Sequence, residues 1–317
     1  MATATDSLEL IRSAGIHAAA KDPDTAHLVI GLNKVISSRL VPGLEVEPEE
    51  NEEGVNIHIR VADGARIAKP VHMCFGLLQE AGIQRIGIDL TVEDDAKIGI
   101  VAHCIFPSAE QQPGGEPPVK HLMDATIRIG AGSEYTYFER HIHSSKGGVL
   151  VAPKARVELA DHARFKTDFE LVEGRVGKID IDYETVCGPY SVMEMTAKIS
   201  ARADDVVKIR ETGLLSGEHS RGVLTSRVAV RDQARADVYN KLTATAAYAR
   251  GHVDCQEIIA GGGIANAVPI VEVSHPKAHI THEATLGSVD NKQLETLMAR
   301  GLDEDAASDL IISGLLA

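Results

Sequence analysis

The sequence predicts a mainly β protein, and three observations carry that prediction. From about residue 44 to 288 the chain is a succession of short alternating runs such as GVNIHIRV, RIGIDLTV, GKIDIDYETV and SVMEMTAKISA. Alternation of apolar and polar residues puts every second side chain on one face of a strand. Corners rich in Gly, Asp, Asn and Ala separate the runs. No long helical pattern intervenes after about residue 85, which argues against strand–helix–strand units.

Two architectures suit many short strands: a sandwich or barrel, and a stacked parallel solenoid. Several corners resemble one another, namely ADHARF at 160, SARADDVV at 200, RDQARADV at 231 and YARGHVDC at 248. Their register fits no strict hexapeptide or nonapeptide repeat. Small corner residues favour the solenoid, because successive coils lie only about 4.8 Å apart and bulky corners collide. The pattern alone leaves both architectures open. Gly261-Gly262-Gly263 has neither the lysine nor the strand–helix setting of a phosphate loop and reads as a tight corner.

The flanks read as helix. In an N-terminal helical segment, residues 1–43, DSLELIRSAGIHAAA has Asp6 placed as N-cap and Leu8, Ile11 and Ile16 on roughly one face. Pro23-Asp24 breaks it, TAHLVIGLNKVISSRL resumes a helical spacing, and Pro42-Gly43 ends it. A β core spans residues 44–288. A C-terminal helical segment, residues 289–317, puts Leu294, Leu297 and Met298 on one helix face and stops it at Gly301, a natural C′ residue. The next helix has Asp303 or a neighbour as cap and an apolar stripe of Ala306, Leu310 and Ile311. Such a hairpin cannot bury its apolar face alone, so it must dock on its own core or on another protein.

Composition narrows function. Of 317 residues, 44% are hydrophobic, enough for a substantial core. The net charge of −14 repels phosphate backbones and anionic membranes, so neither nucleic acid nor membrane is an expected partner. No apolar run is long enough to span a bilayer, and MATATDSLELIRSAG lacks the basic-then-apolar plan of a signal peptide; the expected location is the cytoplasm. Cys74, Cys104, Cys187 and Cys255 form no C-x-x-C pair and are expected as free thiols. Aromatic residues are 3% of the chain and Trp is absent, which disfavours sugar and base stacking platforms.

The last hundred residues are more specific. SGEHSRGVL, ARGHVDCQEIIAGGG, NAVPIVEVSHPKAHITHEATLGSV and KQLETLMARGLDEDAASDLIISGLL follow one another in that order. In residues, order and spacing this region resembles the SufB/SufD family of iron–sulfur cluster assembly proteins, specifically over about residues 210–317 and more diffusely upstream. The resemblance implies a right-handed parallel β-helix with flanking helices, pairing through that core, and a C-terminal region that docks on a SufC-type ABC ATPase. On this chain the docking residues are Leu294, Leu297, Met298, Arg300, Leu302 and Leu310. ATP hydrolysis then belongs to the partner, and this chain is a scaffold rather than an enzyme. The chain is shorter than either bacterial subunit, as expected of a compact SufB-like member serving as both halves of a homodimer or pairing with a sister subunit.

The resemblance further implies that Cys255 takes part in building a transient iron–sulfur cluster, with Glu283 and His282 completing the site at the subunit junction. The chemistry is consistent. Iron binds thiolate sulfur, and imidazole or carboxylate can complete a labile shell that releases its cargo. Cys255 could also carry sulfur as a persulfide, which needs thiolate character. His252 and Asp254, beside it in sequence, push its pKa in opposite directions. In a regular strand His282 and Glu283 point to opposite faces, so either a bulge turns one or the two serve different sides. Weaker metal-ligand patterns are His72-x-Cys74, His103-Cys104 and His141-x-His143, the last placing two imidazoles on one strand face. Two rival readings are a β-helix carbohydrate-active enzyme, which needs paired acids or a calcium cluster in a groove, and a purely structural ATPase adaptor with an inert cysteine.

Overall fold

The computed structural model describes residues 4–107, 109–110 and 115–316, with side chains from residue 9 onward. Among the described residues two helices, α1 (Ala4–Ser13) and α2 (His17–Lys21), precede nineteen strands. These are β1 (His27–Gly31), β2 (Lys34–Arg39), β3 (Leu44–Glu50), β4 (Val55–Val61), β5 (Val71–Gly76), β6 (Gly82–Val92), β7 (Lys97–Phe106), β8 (Val119–Ile129), β9 (Glu134–His143) and β10 (Val149–Leu159). They continue with β11 (Arg164–Glu173), β12 (Lys178–Cys187), β13 (Val192–Ala201), β14 (Val206–Leu215), β15 (Arg221–Val230), β16 (Arg235–Ala244), β17 (Arg250–Ile259), β18 (Ile264–Val273) and β19 (His279–Ser288). Helices α3 (Asn291–Met298) and α4 (Glu304–Leu316) follow.

The chain is a β-solenoid. From β4 on, strands alternate between two sheets, odd-numbered strands in a 10-stranded sheet and even-numbered strands in a 9-stranded one. Neighbours within each sheet are parallel, except for β1–β2 and β3–β4, which are antiparallel and begin the stack. In the C-terminal half each coil advances the register by 29 residues, as in Arg221 beside Arg250 beside His279. The 15-residue spacing of the two Ala-Arg corners is half a coil: Ala234-Arg235 opens β16 and Ala249-Arg250 opens β17. The similar corners therefore belong to two different edges, and their shared period is hidden when they are read as one series.

Alternation sets the core. In β12 and β14 every second residue is buried, and the inward Val, Ile, Leu, Met and Phe of all coils form one continuous interior. Each such side chain contributes roughly 1.5–3 kcal/mol on burial. Along one edge His162, Tyr190, His219 and Tyr248 stack with ring centroids 4.7–4.9 Å apart, and Lys277 lies over Tyr248. Each of the four occupies the left-handed backbone region, with φ between 55° and 60°. The stacking of rings from coil to coil accompanies that strained turn.

The N-terminal segment is only partly helical. Helix α1 starts at Ala4, not after an Asp6 cap, and the side chains of Asp6 and Leu8 lie outside the described residues. The run TAHLVIGLNKVISSRL is a β-hairpin rather than a helix. All five residues of β1 are buried, between the solenoid interior and α1. A short, fully buried strand has no alternation to distinguish it from a helix segment. Its turn is pinned by Leu32 at φ 53° and by Asn33, whose side chain bonds Ile83 O and Arg85 N. As β1 pairs in parallel with β5, the sheet begins well before residue 44.

The C-terminal hairpin forms as the sequence predicts. Asp290 caps α3 through Gln293 N at 2.7 Å, Asp303 caps α4 through Ala306 N at 2.8 Å, and Gly301 takes φ 98°. The buried face of α4 differs from the predicted stripe. Ala307, Ile312 and Leu316 are buried, the latter two against Ala229, whereas Leu310 is 53% exposed and Ala306 and Ile311 are half-buried. Arg231 pairs with Asp309 and fixes the helix to the outer face of the solenoid. Among the described residues no helix is long and apolar enough to cross a membrane.

Candidate assembly site at the open end of the solenoid

Cys255 faces the solenoid interior. On β17 the inward positions are Gly251, Val253, Cys255 and Glu257, and Cys255 is fully buried. It sits in register between Ser226 on β15 and Ala284 on β19. Its surroundings are polar although enclosed. Asn240 Nδ2 donates to Sγ at 3.6 Å, and Ser226 Oγ donates to Glu257 Oε1 at 3.1 Å. Glu211 lies one coil below Asn240 in register and is 1% exposed. Three oxygens of this group, Glu211 Oε2, Asn240 Oδ1 and Glu257 Oε2, are buried without a hydrogen-bond partner among the described residues. Unpaired buried acceptors are costly, and such groups are expected where a ligand or conformational change completes them.

Burial favours the protonated forms of the groups at this site. Burial raises the Cys255 pKa, the carboxylates of Glu257 and Glu211 raise it further, and bonds from Ser226 and Asn240 oppose them. Burial pushes Glu257 up to about 7 and Glu211 up to about 8. His252 and Asp254 do not set the thiol's state, because both stand on the other face of β17. His252 Nδ1 bonds Thr281 Oγ1 at 2.8 Å, and Asp254 pairs with Arg227.

Glu211 yields a direct test. A carboxyl raised in the folded state holds a proton that the unfolded chain has already lost. Stability is then full below the unfolded value near 4.5 and declines as pH rises toward 8. The decline approaches ~1.4 kcal/mol per pH unit for such a group. In Glu211→Gln the urea midpoint is expected to fall less between pH 5 and about 8 than in the parent, by up to that slope. Equal slopes in the two proteins would show Glu211 ionised in the folded state.

The strand β19 carries the other two predicted residues, and the structure separates them. The β17–β19 register runs unbroken from Arg250–His279 to Ile259–Ser288, with no bulge. His282 is paired with Val253 and shares the inward face with Cys255, whereas Glu283 is paired with Asp254 and faces outward. One chain therefore brings His282 to the rim above Val253, two positions along from Ala284, which lies over Cys255, and leaves Glu283 on the opposite side of the same sheet. Both are exposed, because β19 is the last strand of its sheet. The final coil also leaves Ile264, Val268, Val273 and Leu286 between 43% and 48% exposed. Helix α4 turns back over β13 and β15, away from the last coil.

Sequence reasoning missed Glu211, Ser226, Asn240 and Glu257. Their signal was present: each is a polar residue at an inward position of an alternating strand, where a solenoid core otherwise takes Val, Ile or Leu. Of the weaker candidates, Cys74 packs with Leu10, Ile11 and Val29 on the outer face of the sheet under α1. Cys187 belongs to the main core. His103 and Cys104 lie on opposite faces of β7, as adjacent strand residues must, and His72 stacks on His103 at 5.9 Å. His141 and His143 share the inward face of β9, buried, with Nδ1 and Nε2 3.2 Å apart. On the helical hairpin Leu294, Leu297 and Leu302 are half-buried, while Met298, Arg300 and Leu310 are exposed.

Comparison with known proteins identifies a family. Residues 88–315 match the family described as SUF system FeS cluster assembly, SufBD core domain. An iron–sulfur cluster assembly SufBD family protein of Methanocaldococcus jannaschii is 35% identical over 91% of this chain and 89% of its own length. One from Pyrococcus horikoshii is 34% identical over 98% of this chain and 92% of its own, and one from Archaeoglobus fulgidus is 24% identical over 84% and 69%. The matched region takes in the solenoid from β6 onward, with Cys255, His282 and most of the C-terminal hairpin. The chain belongs to the SufBD family, whose role is in iron–sulfur cluster assembly.

Proposed function

We propose that this chain is a scaffold on which a nascent iron–sulfur cluster is built, with Cys255 supplying the thiolate. The observation that carries the proposal is the placement of a buried, polar-lined cysteine one coil beneath an uncovered solenoid end. The cluster is cargo here. Cys255 holds sulfur or iron, His282 stands on the same face at the rim, and a second copy or sister subunit docked on the exposed last coil supplies the remaining ligands. Glu283, facing outward, serves that second chain rather than its own Cys255. The enclosed, protonated thiol suits a latent site that must be opened before it binds iron. Closure of a SufC-type ATPase pair on the C-terminal hairpins would strain the dimer and open it. In this reading the chain hydrolyses no ATP itself and works in the cytoplasm.

Anaerobic reconstitution with ferrous iron and sulfide tests the reading: absorption and Mössbauer spectra are expected to show a protein-bound cluster. A chain that binds the ATPase but holds no cluster, with or without nucleotide, is a structural adaptor instead. The docking surface has its own test. Met298 and Leu310 are 42% and 53% exposed, so Met298→Glu combined with Leu310→Glu is expected to leave the denaturation midpoint unchanged. Affinity for the ATPase should fall on the order of 100-fold, as for two apolar anchors of an interface. Unchanged affinity in calorimetry would place docking elsewhere.

A further inference from the structure

We propose that Cys104, His121, Glu139 and His141 form a buried site for one divalent transition-metal ion, zinc or ferrous iron, separate from the assembly site. The four residues come from β7, β8 and β9, all point into the solenoid, and all are buried. Cys104 Sγ lies 3.8 Å from His121 Nε2 and 3.5 Å from Glu139 Oε1, and Glu139 Oε1 lies 2.7 Å from His141 Nε2. The donor atoms of Cys104, Glu139 and His141 are all within 4.8 Å of one another, and His121 lies outside that group and joins it through its contact with Cys104. Metal–sulfur bonds of about 2.3 Å and metal–nitrogen or –oxygen bonds of about 2.1 Å place tetrahedral donors about 3.5 Å apart. The sulfur contacts already match, and the shorter carboxylate–imidazole contact opens as the proton between them is replaced.

Hydrogen-bond accounting shows that lone pairs converge on this point. Gln84 Nε2 donates to the carbonyls of Leu32, Gly76 and Ile30, which fixes its amide and leaves Oε1 to accept from His121 Nδ1 at 2.9 Å. His121 Nε2 is therefore a bare lone pair aimed at Cys104. On the other side, His143 Nδ1 donates to the Arg175 carbonyl at 3.0 Å, so His143 Nε2 accepts from His141 Nδ1. His141 Nε2 is then also a lone pair, and it faces a carboxylate oxygen. Glu139 Oε2, on a side chain 1% exposed, has no partner among the described residues. Either shared protons or a metal ion must lie between these groups.

Each imidazole also donates its remote N–H to a fixed acceptor, the outer-shell arrangement that orients metal-binding histidines. Charge balances as well. Without metal, two protons are needed, one on the thiol and one between Glu139 and His141. A divalent ion enters as those two protons leave, so thiolate and carboxylate neutralise it, and the buried site carries no net charge in either state. Cys104 lies five coils below Cys255, about 24 Å at the spacing of stacked strands, so the two sites share no ligand.

Cobalt tests the assignment without iron, sulfide or the assembly site. The Cys255→Ser chain, produced in cobalt-supplemented medium so that the ion is present during folding, is expected to carry one cobalt per chain. It should show thiolate-to-cobalt charge transfer and tetrahedral ligand-field bands. Adding Cys104→Ser should abolish the charge-transfer band and reduce bound cobalt by about tenfold or more. If that double variant does not fold, the Cys255→Ser protein still decides the matter. Proton spectra should contain two exchangeable, strongly shifted imidazole N–H resonances, from His121 and His141. Cobalt well below stoichiometric, a charge-transfer band that survives Cys104→Ser, or the absence of shifted N–H signals would overturn the site.

Discussion

Cys255→Ala is expected to lose all, or all but a few per cent, of the cluster that the parent chain holds after anaerobic reconstitution. The physical reason is the donor set. At this end of the solenoid the inward-facing groups are Cys255, Glu257, Asn240, Ser226 and the rim residue His282, and Cys255 is the one thiol among them. Oxygen and nitrogen donors bind iron but hold a sulfide-bridged cluster poorly without thiolate sulfur. The variant should fold normally, because the change removes one small buried group, at a cost of about 1 kcal/mol. His282→Ala is expected to reduce cluster retention less, since a rim imidazole completes the shell rather than founding it. Iron and sulfide counted per chain, with Mössbauer spectra, give the readout. A Cys255→Ala chain holding as much cluster as the parent would remove Cys255 from the site.

The second large effect concerns the scaffold. Gly217→Val is expected to lower stability by on the order of 3 kcal/mol, at the upper end of the usual cost of overpacking. A Cβ at Gly217 would lie 2.0 Å from the backbone carbon of Gly188 and 2.1 Å from Pro189 N on the preceding corner. These are main-chain atoms, held by Gly188 N to Leu159 O at 2.9 Å and Gly217 N to Cys187 O at 2.9 Å. No side chain can swing aside, so the two coils must separate and stretch their shared hydrogen bonds. Gly287→Ala is the matched control: nothing lies within 4 Å of its Cβ position, and a change below about 0.5 kcal/mol is expected. Chemical denaturation followed by far-ultraviolet circular dichroism compares the two. Equal midpoints for Gly217→Val and the parent would show that corner spacing does not limit the stack.

Both expectations rest on the stacking of coils, which the sequence disclosed unevenly. Runs such as KIDIDYETVC announce a strand with one face inward, because alternation has a short period and survives in any local window. The corner glycines and alanines pointed to close stacking for the same local reason. The repeat itself was obscured, since consecutive corners lie on two different edges and only every second one is comparable. HLVIG in β1 reads as helix in the sequence because burial on both faces erases alternation. The buried face of α4 differs from the predicted stripe because Ala306, Leu310 and Ile311 are as apolar as Ala307, Ile312 and Leu316 and only docking chooses between them.

The sequence by itself determined the strand character, the Gly301 stop of α3, the Asp303 cap of α4 and, through its ordered C-terminal motifs, the candidate cysteine. Each of these depends on neighbours within a few residues, or on a pattern read in order. The tertiary structure alone decided which polar residues meet. It placed Glu211, Ser226 and Asn240 around Cys255, sent His282 and Glu283 to opposite faces, and gathered Cys104, His121, Glu139 and His141 into one enclosed cluster. Apart from Glu139 and His141, which are neighbours on one face of β9, those contacts join residues one or more half-coils apart. Their proximity follows from the length of a coil and the parity of each strand position, which no local window contains.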